Sequence, residues 1–502
     1  MNCYLKLYDN MKMRKVLAAW AVALAVMCAA VGCVEERLTG DPSARLEFSC
    51  DTLVMDTLFA GVPSRTSRLM VYNRNDRALN INTVSLGGGE RSQFRFNVDG
   101  HIPPEDNRLT DIVIKAKDSL YVFVELTAET EEEVSSLLVE DSLMFLCNGT
   151  ESRVQLVACA KNARLLRNCS LEGDMTFDSV RPYLIYGYLH VPEGNTLTLT
   201  AGSTLYFHDG ADLVVDGNLR SDGTLDAPVT LRGDRLDRMD DDDGTPYDYM
   251  PLQWGSVYLQ NGLGEHSLTY TVIRGGTHGI VLYGERNAAP GLTMKNCVVT
   301  TAGGYGLYSR NGDVEMENCV ISNCGAACCL MLGGRLGMTH CTVANYYTYG
   351  TRSTPAFVVT NYETADGGAS VSYPVKSAVV ENSIIYGGNG AELALMNDTL
   401  RDTEFNVLIS YTLVKGEQQD GGMFNRVLWS GELGSAADAV FMNTDISDIE
   451  ETGYYDFSLA PRSPAIGVAN KEVAIHCPED IRGVSRTDDD GPDMGAYERT
   501  ED

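Results

Sequence analysis

Three short stretches of this sequence repeat at a fixed step: residues 294–299 (MKNCVV), 316–321 (MENCVI) and 338–343 (MTHCTV). Each stretch begins 22 residues after the one before it. A step of this size is typical of one coil of a solenoid, in which similar turns of chain stack on each other. We therefore expect coils of short β-strands in this part of the chain.

Stacking would place equivalent residues of neighbouring coils one strand spacing apart, about 4.8 Å. The pattern predicts that the Met, the Cys and the last residue of each stretch form inward ladders, and that the second residue faces outward. The Asn at the third position of two stretches is expected at a bend, because Asn tolerates the left-handed conformation. The ladder residues are Met294, Met316 and Met338, then Cys297, Cys319 and Cys341, then Val299, Ile321 and Val343.

The cysteines of this ladder are expected to be buried free thiols, since small apolar side chains can stack without a bond. A disulfide between neighbouring coils is the alternative, because the coil spacing is close to the Cα separation that a disulfide needs. Elsewhere the odd number and irregular spacing of cysteines argue against a disulfide framework.

The strand pattern covers most of the chain. Short runs broken by Gly and Asp begin after Leu171, and copies of the repeated stretch occur at 268–273, 380–385 and 409–414. No long helical period interrupts them, which favours wound sheets over alternating strands and helices. Residues 44–165 instead contain seven or eight alternating runs, typical of a β-sandwich.

The repeated Asn-Cys stretches resemble the right-handed parallel β-helix superfamily of the pectate-lyase type. The resemblance implies an all-β fold, with a right-handed parallel β-helix at 166–415. Residues 44–165 resemble the immunoglobulin-like modules that precede β-helices in bacterial surface lipoproteins. The β-helix implies little about activity, since lyases, hydrolases, epimerases, adhesins and inert stalks share it.

The last segment, 416–502, contains FSL at 457–459, SPAI at 463–466 and PDMGAYE at 492–498. Their order is similar to that in the C-terminal segment of choice-of-anchor Q proteins. The resemblance implies a cap for the β-helix, since an open solenoid edge invites association. The charged residues Asp480, Arg486, Asp493 and Glu498 are expected to pair structurally, and an active site is the alternative.

Residues 1–33 resemble a bacterial lipoprotein signal peptide. Basic residues precede an apolar run at 16–31, which is shorter than the roughly 20 residues of a membrane span. The run ends in AVGC at 30–33, which resembles a lipobox and implies acylation of Cys33; an ordinary cleaved signal is the alternative. Glu35 and Glu36 then resemble a surface-export signal, with residues 34–43 as a tether. The resemblance implies a lipid anchor in the outer membrane of a Gram-negative bacterium, with the protein exposed at the cell surface.

The formal net charge is −30. This charge disfavours nucleic acid as a partner and also disfavours polyanionic glycans. No metal-ligand spacing and no cofactor motif is present. The acidic run 240–243 is a weak Ca²⁺ candidate, because Met239 stands where a calcium loop needs its first Asp.

Two kinds of catalysis fit residues of the predicted coils. A polysaccharide lyase needs a base and a group that neutralises the uronate carboxylate, and Arg274 with His278 is the best pair. Further candidates for these roles are His266, Tyr283, Arg286, Arg310, His340 and Arg352. An inverting glycoside hydrolase needs two carboxylates about 6.5–9.5 Å apart, and Glu315 with Glu317 could supply them. Neither pair forms a specific motif, and solvated outward carboxylates are the simpler interpretation.

Long insertions in a solenoid often carry binding residues, and 234–254 and 344–379 are the two longest. Tyrosine rings offer flat apolar faces that suit sugars. We therefore expect Tyr346, Tyr347, Tyr349, Arg352 and Trp254 to contact a glycan. The leading hypothesis is a non-enzymatic surface lipoprotein that binds glycans or other surface proteins. The alternatives are a glycan lyase or hydrolase and a purely structural stalk.

Overall fold

The computed structural model describes residues 37–130, 136–239, 245–260, 263–285, 289–364, 370–399, 403–446, 454–488 and 491–500. The chain divides into two compact units, made mostly of residues up to Ala160 and of residues from Lys161 onward. The predicted lipidation residue Cys33 and the acidic run 240–243 lie outside the described residues. In the part of the chain that is described, no helix has the length and apolar character needed to cross a membrane.

The first unit consists of two β-sheets that pack face to face. Their inward residues are buried at alternate positions, as in Ser119–Leu126, where Leu120, Val122 and Val124 point into the core. The rings of Phe48 and Phe145 join the two sheets at a centroid distance of 4.9 Å. One sheet contains, in spatial order, Glu47–Phe48, Ser67–Tyr72, Ser119–Leu126 and Phe94–Val98. The other contains Thr52–Phe59, Thr150–Lys161, Ser136–Cys147, Leu79–Leu86 and Arg108–Ile114.

The second unit is a β-helix whose coils each contribute strands to three columns. The first column is a ten-stranded sheet, and the second and third columns together form an eighteen-stranded sheet within the described residues. Among the described residues, the strands of successive coils pair in parallel, as coil-to-coil stacking requires. The strands of the first column are Met175–Phe177, Thr196–Thr200, Asn218–Asp222, Glu265–Thr269, Gly291–Lys295, Asp313–Glu317, Gly334–Thr339, Val375–Glu381, Phe405–Ser410 and Phe424–Asn425.

The other two columns begin with Arg164–Ser170 and Tyr183–Val191, which run through both. The second column then contains Thr204–Phe207, Val229–Gly233, Thr271–Arg274, Val298–Thr300, Val320–Ser322, Thr342–Asn345, Ile384–Gly387, Leu413–Val414 and Leu428–Trp429. The third column contains Asp212–Val215, Val257–Leu259, Ile280–Tyr283, Leu307–Arg310, Cys329–Leu332, Phe357–Thr360 and Leu393–Met396.

The 22-residue repeat forms coils in the predicted register. Met294 pairs with Met316, and Met316 with Met338, in adjacent strands of the first column. The nine predicted ladder residues are all buried, while Lys295 is exposed and Glu317 and Thr339 are half-buried. The inward ladders of the sequence analysis are therefore confirmed.

The bend between the first and second columns uses left-handed backbone, as predicted for Asn. Asn296, Asn318 and Asn382 have φ of 54°, 52° and 50°. The side chains of the last two reach outward: Asn318 Nδ2 donates to the carbonyl of Glu479 at 2.7 Å, and Asn382 Nδ2 to that of Asn470 at 3.0 Å. These bends therefore hold the C-terminal segment.

The C-terminal segment differs from a simple end cap. Trp429 is buried at the last coil and is followed by the short 3₁₀ turns Ser430–Glu432 and Gly434–Asp438. The chain then returns along the side of earlier coils, through the hairpin of Phe441–Asn443 with Asp456–Leu459 and the short helix Lys471–Ala474. Its apolar side chains pack against outward residues of the second column, including Val320 and Ile384. The segment covers a flank because those outward residues are apolar.

The charged residues of this segment pair with one another, as the sequence analysis expects. Arg486 is fully buried and forms an ion pair with Glu498 at 2.8 Å, and it donates to Asn318 Oδ1 at 2.9 Å. Asp480 Oδ2 accepts from the backbone N–H of Glu498 at 2.9 Å. Asp493 is also buried. The network is closed to solvent, which suits a structural role.

The described cysteines are free thiols. In the ladder, the backbone N–H of Cys319 donates to Cys341 Sγ at 3.4 Å. Burial raises the pKa of the Cys297 and Cys319 thiols well above its ordinary value. The ladder is therefore a set of unreactive core side chains.

Candidate functional site

One of the predicted glycan-binding rings is in the core, and a second is partly buried. Trp254 is only 1% exposed, stacks on Phe207 at 4.4 Å and donates through Nε1 to the carbonyl of Arg274 at 2.8 Å. Tyr346 packs against Phe441 and Phe457 of the C-terminal segment, and burial raises its pKa. The prediction for Trp254 is wrong, since its ring presents no face to solvent. Tyr346 is only partly buried, and its contact with a glycan stays a prediction.

Arg352 is also wrongly predicted to bind a glycan. Its guanidinium is 5% exposed and forms a bidentate ion pair with Glu392, which is 0% exposed. It also donates to the carbonyl of Asn345 at 2.9 Å. Arg352 therefore fixes the insertion to the coil.

Tyr347 and Tyr349 contact each other edge to face at 5.8 Å, with Tyr349 37% exposed, and their role stays a prediction.

The structure does not bring Arg274 and His278 together. Arg274 forms an ion pair with Asp248 at 2.7 Å, and Asp248 also pairs with Arg232 at 3.0 Å. His278 instead accepts a hydrogen bond from the backbone N–H of Tyr305 through Nδ1 at 3.0 Å. The guanidinium is paired on the second column while the imidazole lies beside the third, and a catalytic role for the two residues stays a prediction. His266 and His340 are buried, and Arg286 lies outside the described residues.

Aromatic rings from two neighbouring coils meet on the outer face of the third column. We call the set His278, Tyr283, Tyr305, Tyr308 and Arg310 the tyrosine patch. The strand pairing places Tyr283 opposite Arg310, whose guanidinium carbon lies 4.8 Å from the centre of the Tyr283 ring. The centroid of Tyr308 is 5.9 Å from that of Tyr283 and 5.4 Å from that of Tyr305. His278 stacks on Tyr305 at 5.6 Å.

The tyrosine patch is half-buried, and burial favours the uncharged forms of Tyr308 and His278. Burial, and then the nearby Glu363, raises the pKa of Tyr308 to about 12. Burial lowers the pKa of His278, so that the neutral imidazole is favoured. Glu363 belongs to the hairpin of Tyr362–Thr364 with Ser370–Ser372 and accepts from the hydroxyl of Tyr373 at 2.8 Å. Arg310 and Glu363 therefore supply the charges at the border of an aromatic surface.

The sequence contained a signal for this patch. The runs at 279–283 and 306–310 both begin with Gly, and aligning Gly279 with Gly306 gives the pairing seen in the structure. That alignment puts Tyr283 and Arg310 side by side on one face. Tyr305 and Tyr308 were not singled out because a tyrosine near a strand is most often a packing residue.

A groove lies on the outer face of the first column, against the helix Lys471–Ala474. Its volume is about 540 Å³, and it is lined by Lys295, Glu315, Glu317 and other residues of the strands and helix. Lys295 Nζ lies 2.6 Å from Glu317, and this hydrogen bond raises the pKa of Lys295. Partial burial and the nearby Asp313 raise the pKa of Glu315. The two glutamates thus share a face, as predicted, but have different electrostatic surroundings.

Across the described parts of the chain, no cluster of three or more His, Cys, Asp or Glu side chains could hold a metal ion. The acidic run 240–243, the Ca²⁺ candidate, is not among those residues.

The comparisons with known proteins agree with the fold. The model of the right-handed beta helix region matches residues 258–406. No curated protein shows significant similarity to the chain. The second unit is therefore a right-handed parallel β-helix, the class of protein that the coils define.

The similar solved structures are distant. The catalytic domain of a GH87 alpha-1,3-glucanase in complex with nigerose is 11% identical, with 74% of this chain and 90% of that chain covered and a TM-score of 0.19. PapD-like domain 7 of human CEP192 is 14% identical, with 27% and 97% covered and a TM-score of 0.17. A family 123 glycoside hydrolase from Clostridium perfringens is 8% identical, with 24% and 26% covered and a TM-score of 0.17. Scores this low identify no activity.

Proposed function

We propose that this chain is a lipid-anchored surface protein whose β-helix binds neutral glycans on the tyrosine patch. The observation that carries the proposal is the meeting of three tyrosine rings, an imidazole and a guanidinium on the third column. Tyrosine combines a flat apolar face with a hydroxyl, which matches the apolar faces and hydroxyl rim of a sugar.

The rings of the patch are held in place before a ligand arrives. Arg310 stacks on Tyr283, and Tyr305 contacts both His278 and Tyr308. Fixed rings reduce the loss of side-chain entropy on binding, which favours affinity. At the border, Arg310 and Glu363 offer a donor and an acceptor for sugar hydroxyls. The net charge of −30 supports a neutral rather than a polyanionic glycan.

A glycan array with the soluble chain 34–502, followed by calorimetry on the best ligand, tests this proposal. We expect Tyr283→Ala or Tyr305→Ala to weaken binding at least tenfold, since each removes one stacking face. Tyr349→Ala is the matched control, because Tyr349 is an exposed tyrosine of the 344–379 insertion. Binding that is lost in Tyr349→Ala and kept in the patch variants would place the glycan on the insertion and refute the proposal.

The anchor rests on the lipobox-like sequence AVGC at 30–33. One acyl chain alone gives marginal membrane binding, so a lipoprotein carries several. We expect Cys33→Ala to release the protein from the membrane fraction of a Gram-negative host. A variant that stays in the membrane fraction would show that Cys33 is not the anchor. The choice-of-anchor Q resemblance of residues 416–502 is consistent with a surface protein and belongs to the same proposal.

A glycoside hydrolase acting in the groove is the second candidate function, and the observation that favours it is the different surroundings of two neighbouring carboxylates. The raised pKa of Glu315 suits a general acid, while Glu317, paired with Lys295 at 2.6 Å, is the candidate base. Two residues apart on a strand, they are separated by about 6–7 Å at the Cα atoms. Release of reducing sugar from array-positive glycans, abolished by Glu315→Gln and Glu317→Gln but not by Glu265→Gln, would establish this activity.

A further inference from the structure

We propose that Ser170, His190 and Asp216 form a nucleophilic triad that hydrolyses carboxylic esters. Ser170 Oγ lies 3.0 Å from His190 Nδ1, and His190 Nε2 lies 2.9 Å from Asp216 Oδ2. Both contacts are within the reach that nucleophile–base and base–carboxylate pairs require. Such a triad is recognised by geometry and roles rather than by order in the chain.

Strands of two adjacent coils place Ser170 and His190, and Asp216 directly follows the strand Asp212–Val215 of the next coil. Ser170 and His190 are opposite each other in adjacent parallel strands of the third column. The carbonyl of His190 accepts from the backbone N–H of Leu171 at 2.9 Å, and the backbone N–H of Asp216 donates to Val191 at 2.9 Å. The backbone on either side of the imidazole is therefore fixed by the sheet.

The triad is open to solvent. Ser170 is exposed, and the side chains of His190 and Asp216 are 29% and 42% exposed. A small acyl group can therefore reach Ser170 Oγ without any movement of the fold. The carboxylate of Asp216 favours the tautomer with the proton on Nε2, which leaves the Nδ1 lone pair facing the serine hydroxyl.

The reaction follows the usual steps of acyl transfer. Ser170 Oγ bonds to the carbonyl carbon of the ester while its proton passes to His190 Nδ1. The C–O bond to the alcohol then breaks, and the imidazolium gives its proton to the departing alcohol. Water, activated in turn by His190, attacks the acyl-serine and releases the carboxylic acid and the free serine. Ester and water thus give acid and alcohol, with no other reactant.

The triad shares its face with the tyrosine patch. His190 and Tyr308 occupy the same outward position of the third column in different coils. The aligned residues between them, in successive coils, are Val214, Tyr258 and Val281. Four strand spacings separate His190 from Tyr308, or about 19 Å. The inferred substrate is therefore an O-acylated glycan that lies along the third column; this substrate class, unlike the ester hydrolysis itself, rests on the proposed glycan binding.

A second His–Asp pair provides a matched control. His208 and Asp234 are also 26 residues apart, and His208 Nδ1 lies 2.7 Å from Asp234 Oδ2. Here the carboxylate occupies Nδ1, and Tyr186 stacks on the ring at 4.2 Å. His208→Gln therefore removes an exposed cross-coil imidazole of the same kind, without affecting the hydroxyl of Ser170.

The test is hydrolysis of 4-nitrophenyl acetate by the purified full chain with its thiols alkylated, together with labelling by a fluorophosphonate. We expect turnover, and labelling at Ser170 in the peptide mass spectrum. The hydrolysis rate should be at least about 100-fold lower in Ser170→Ala and in His190→Gln than in the wild type, because general-base catalysis typically contributes 10²–10⁴-fold. His208→Gln should keep the wild-type rate. Turnover equal in wild type and Ser170→Ala, or absence of label from Ser170, would overturn the proposal.

Asp216 positions the imidazole of His190 and does not touch the substrate. A lower rate in its variant could also come from a structural defect, so a second measurement is needed. Asp216→Asn should lower kcat and leave KM unchanged, because the imidazole loses the carboxylate that orients it while the contacts to the substrate remain. An unchanged kcat, or a rise in KM alone, would remove Asp216 from the triad. Hydrolysis of 4-nitrophenyl acetate in a protein that binds no glycan would refute glycan binding alone and leave the esterase intact.

Discussion

Arg352 and Glu392 allow a quantitative test of how the 344–379 insertion is held. Their side chains are 5% and 0% exposed, so the ion pair is almost fully removed from water. Arg352→Met leaves the buried carboxylate without its guanidinium. Breaking a buried pair in this way costs about 3–5 kcal/mol.

The loss should be confined to the insertion and the coil beside it, because Arg352 donates to Asn345 and Thr354 as well as to Glu392. Local opening by about 3–5 kcal/mol corresponds to amide exchange that is roughly 100- to 4000-fold faster. Hydrogen exchange read by mass spectrometry on peptides covering 345–360 measures this directly.

Two further variants make the test selective. Lys295→Met breaks the Lys295–Glu317 pair, which is half-exposed, and should cost less than about 1 kcal/mol. The double variant Arg352→Met with Glu392→Gln removes both buried charges and keeps an amide oxygen that can accept from the backbone N–H of Ala356, so it should recover part of the protection. If Arg352→Met exchanged no faster than Lys295→Met, the ion pair would not hold the insertion and the reasoning would fail.

Three other predictions concern a buried histidine, a glutamate of the groove and the thiols. Burial lowers the pKa of His266 to about 4. Between pH 6.5 and pH 4 the unfolded chain therefore binds a proton that the folded chain does not, and the free energy of unfolding in urea should fall by about 3 kcal/mol over that range. The decrease should be clearly smaller in His266→Gln. Gly337→Ala should displace the Glu315 carboxylate, because a Cβ at Gly337 would overlap it, and the pKa of Glu315 measured by NMR should then move towards its ordinary value. Iodoacetamide should alkylate exposed Cys159 in the folded protein but modify Cys319 only after unfolding, as peptide mapping would show; modification of Cys319 at the same rate would contradict its burial.

The coil geometry could be predicted because it follows from the local repeat of the sequence. A 22-residue step fixes which residue stacks on which, so Met294 over Met316 and the outward direction of Glu315 and Glu317 follow from the sequence alone. Each of these statements depends only on neighbouring coils of nearly identical pattern.

The site residues were harder to predict because their exposure depends on distant segments. Tyr346 looks like an exposed loop tyrosine, but Phe441 and Phe457, about 100 residues later, cover it. The Arg352–Glu392 ion pair joins residues 40 apart across an insertion, and no spacing rule indicates it. In the tyrosine patch, Tyr283 and Tyr308 are two positions out of register in adjacent strands. Their proximity becomes clear only when Gly279 is aligned with Gly306.

The returning C-terminal segment has a mechanical consequence. It is hydrogen-bonded to Asn318, Thr342 and Asn382, which belong to three successive coils. A force that pulls on a bound ligand would ordinarily peel a solenoid one coil at a time, because each coil contacts only its neighbours. Here the C-terminal segment links several coils from the side, so that these coils must unfold together. A β-helix tethered at one end and loaded along its face would thereby resist unzipping.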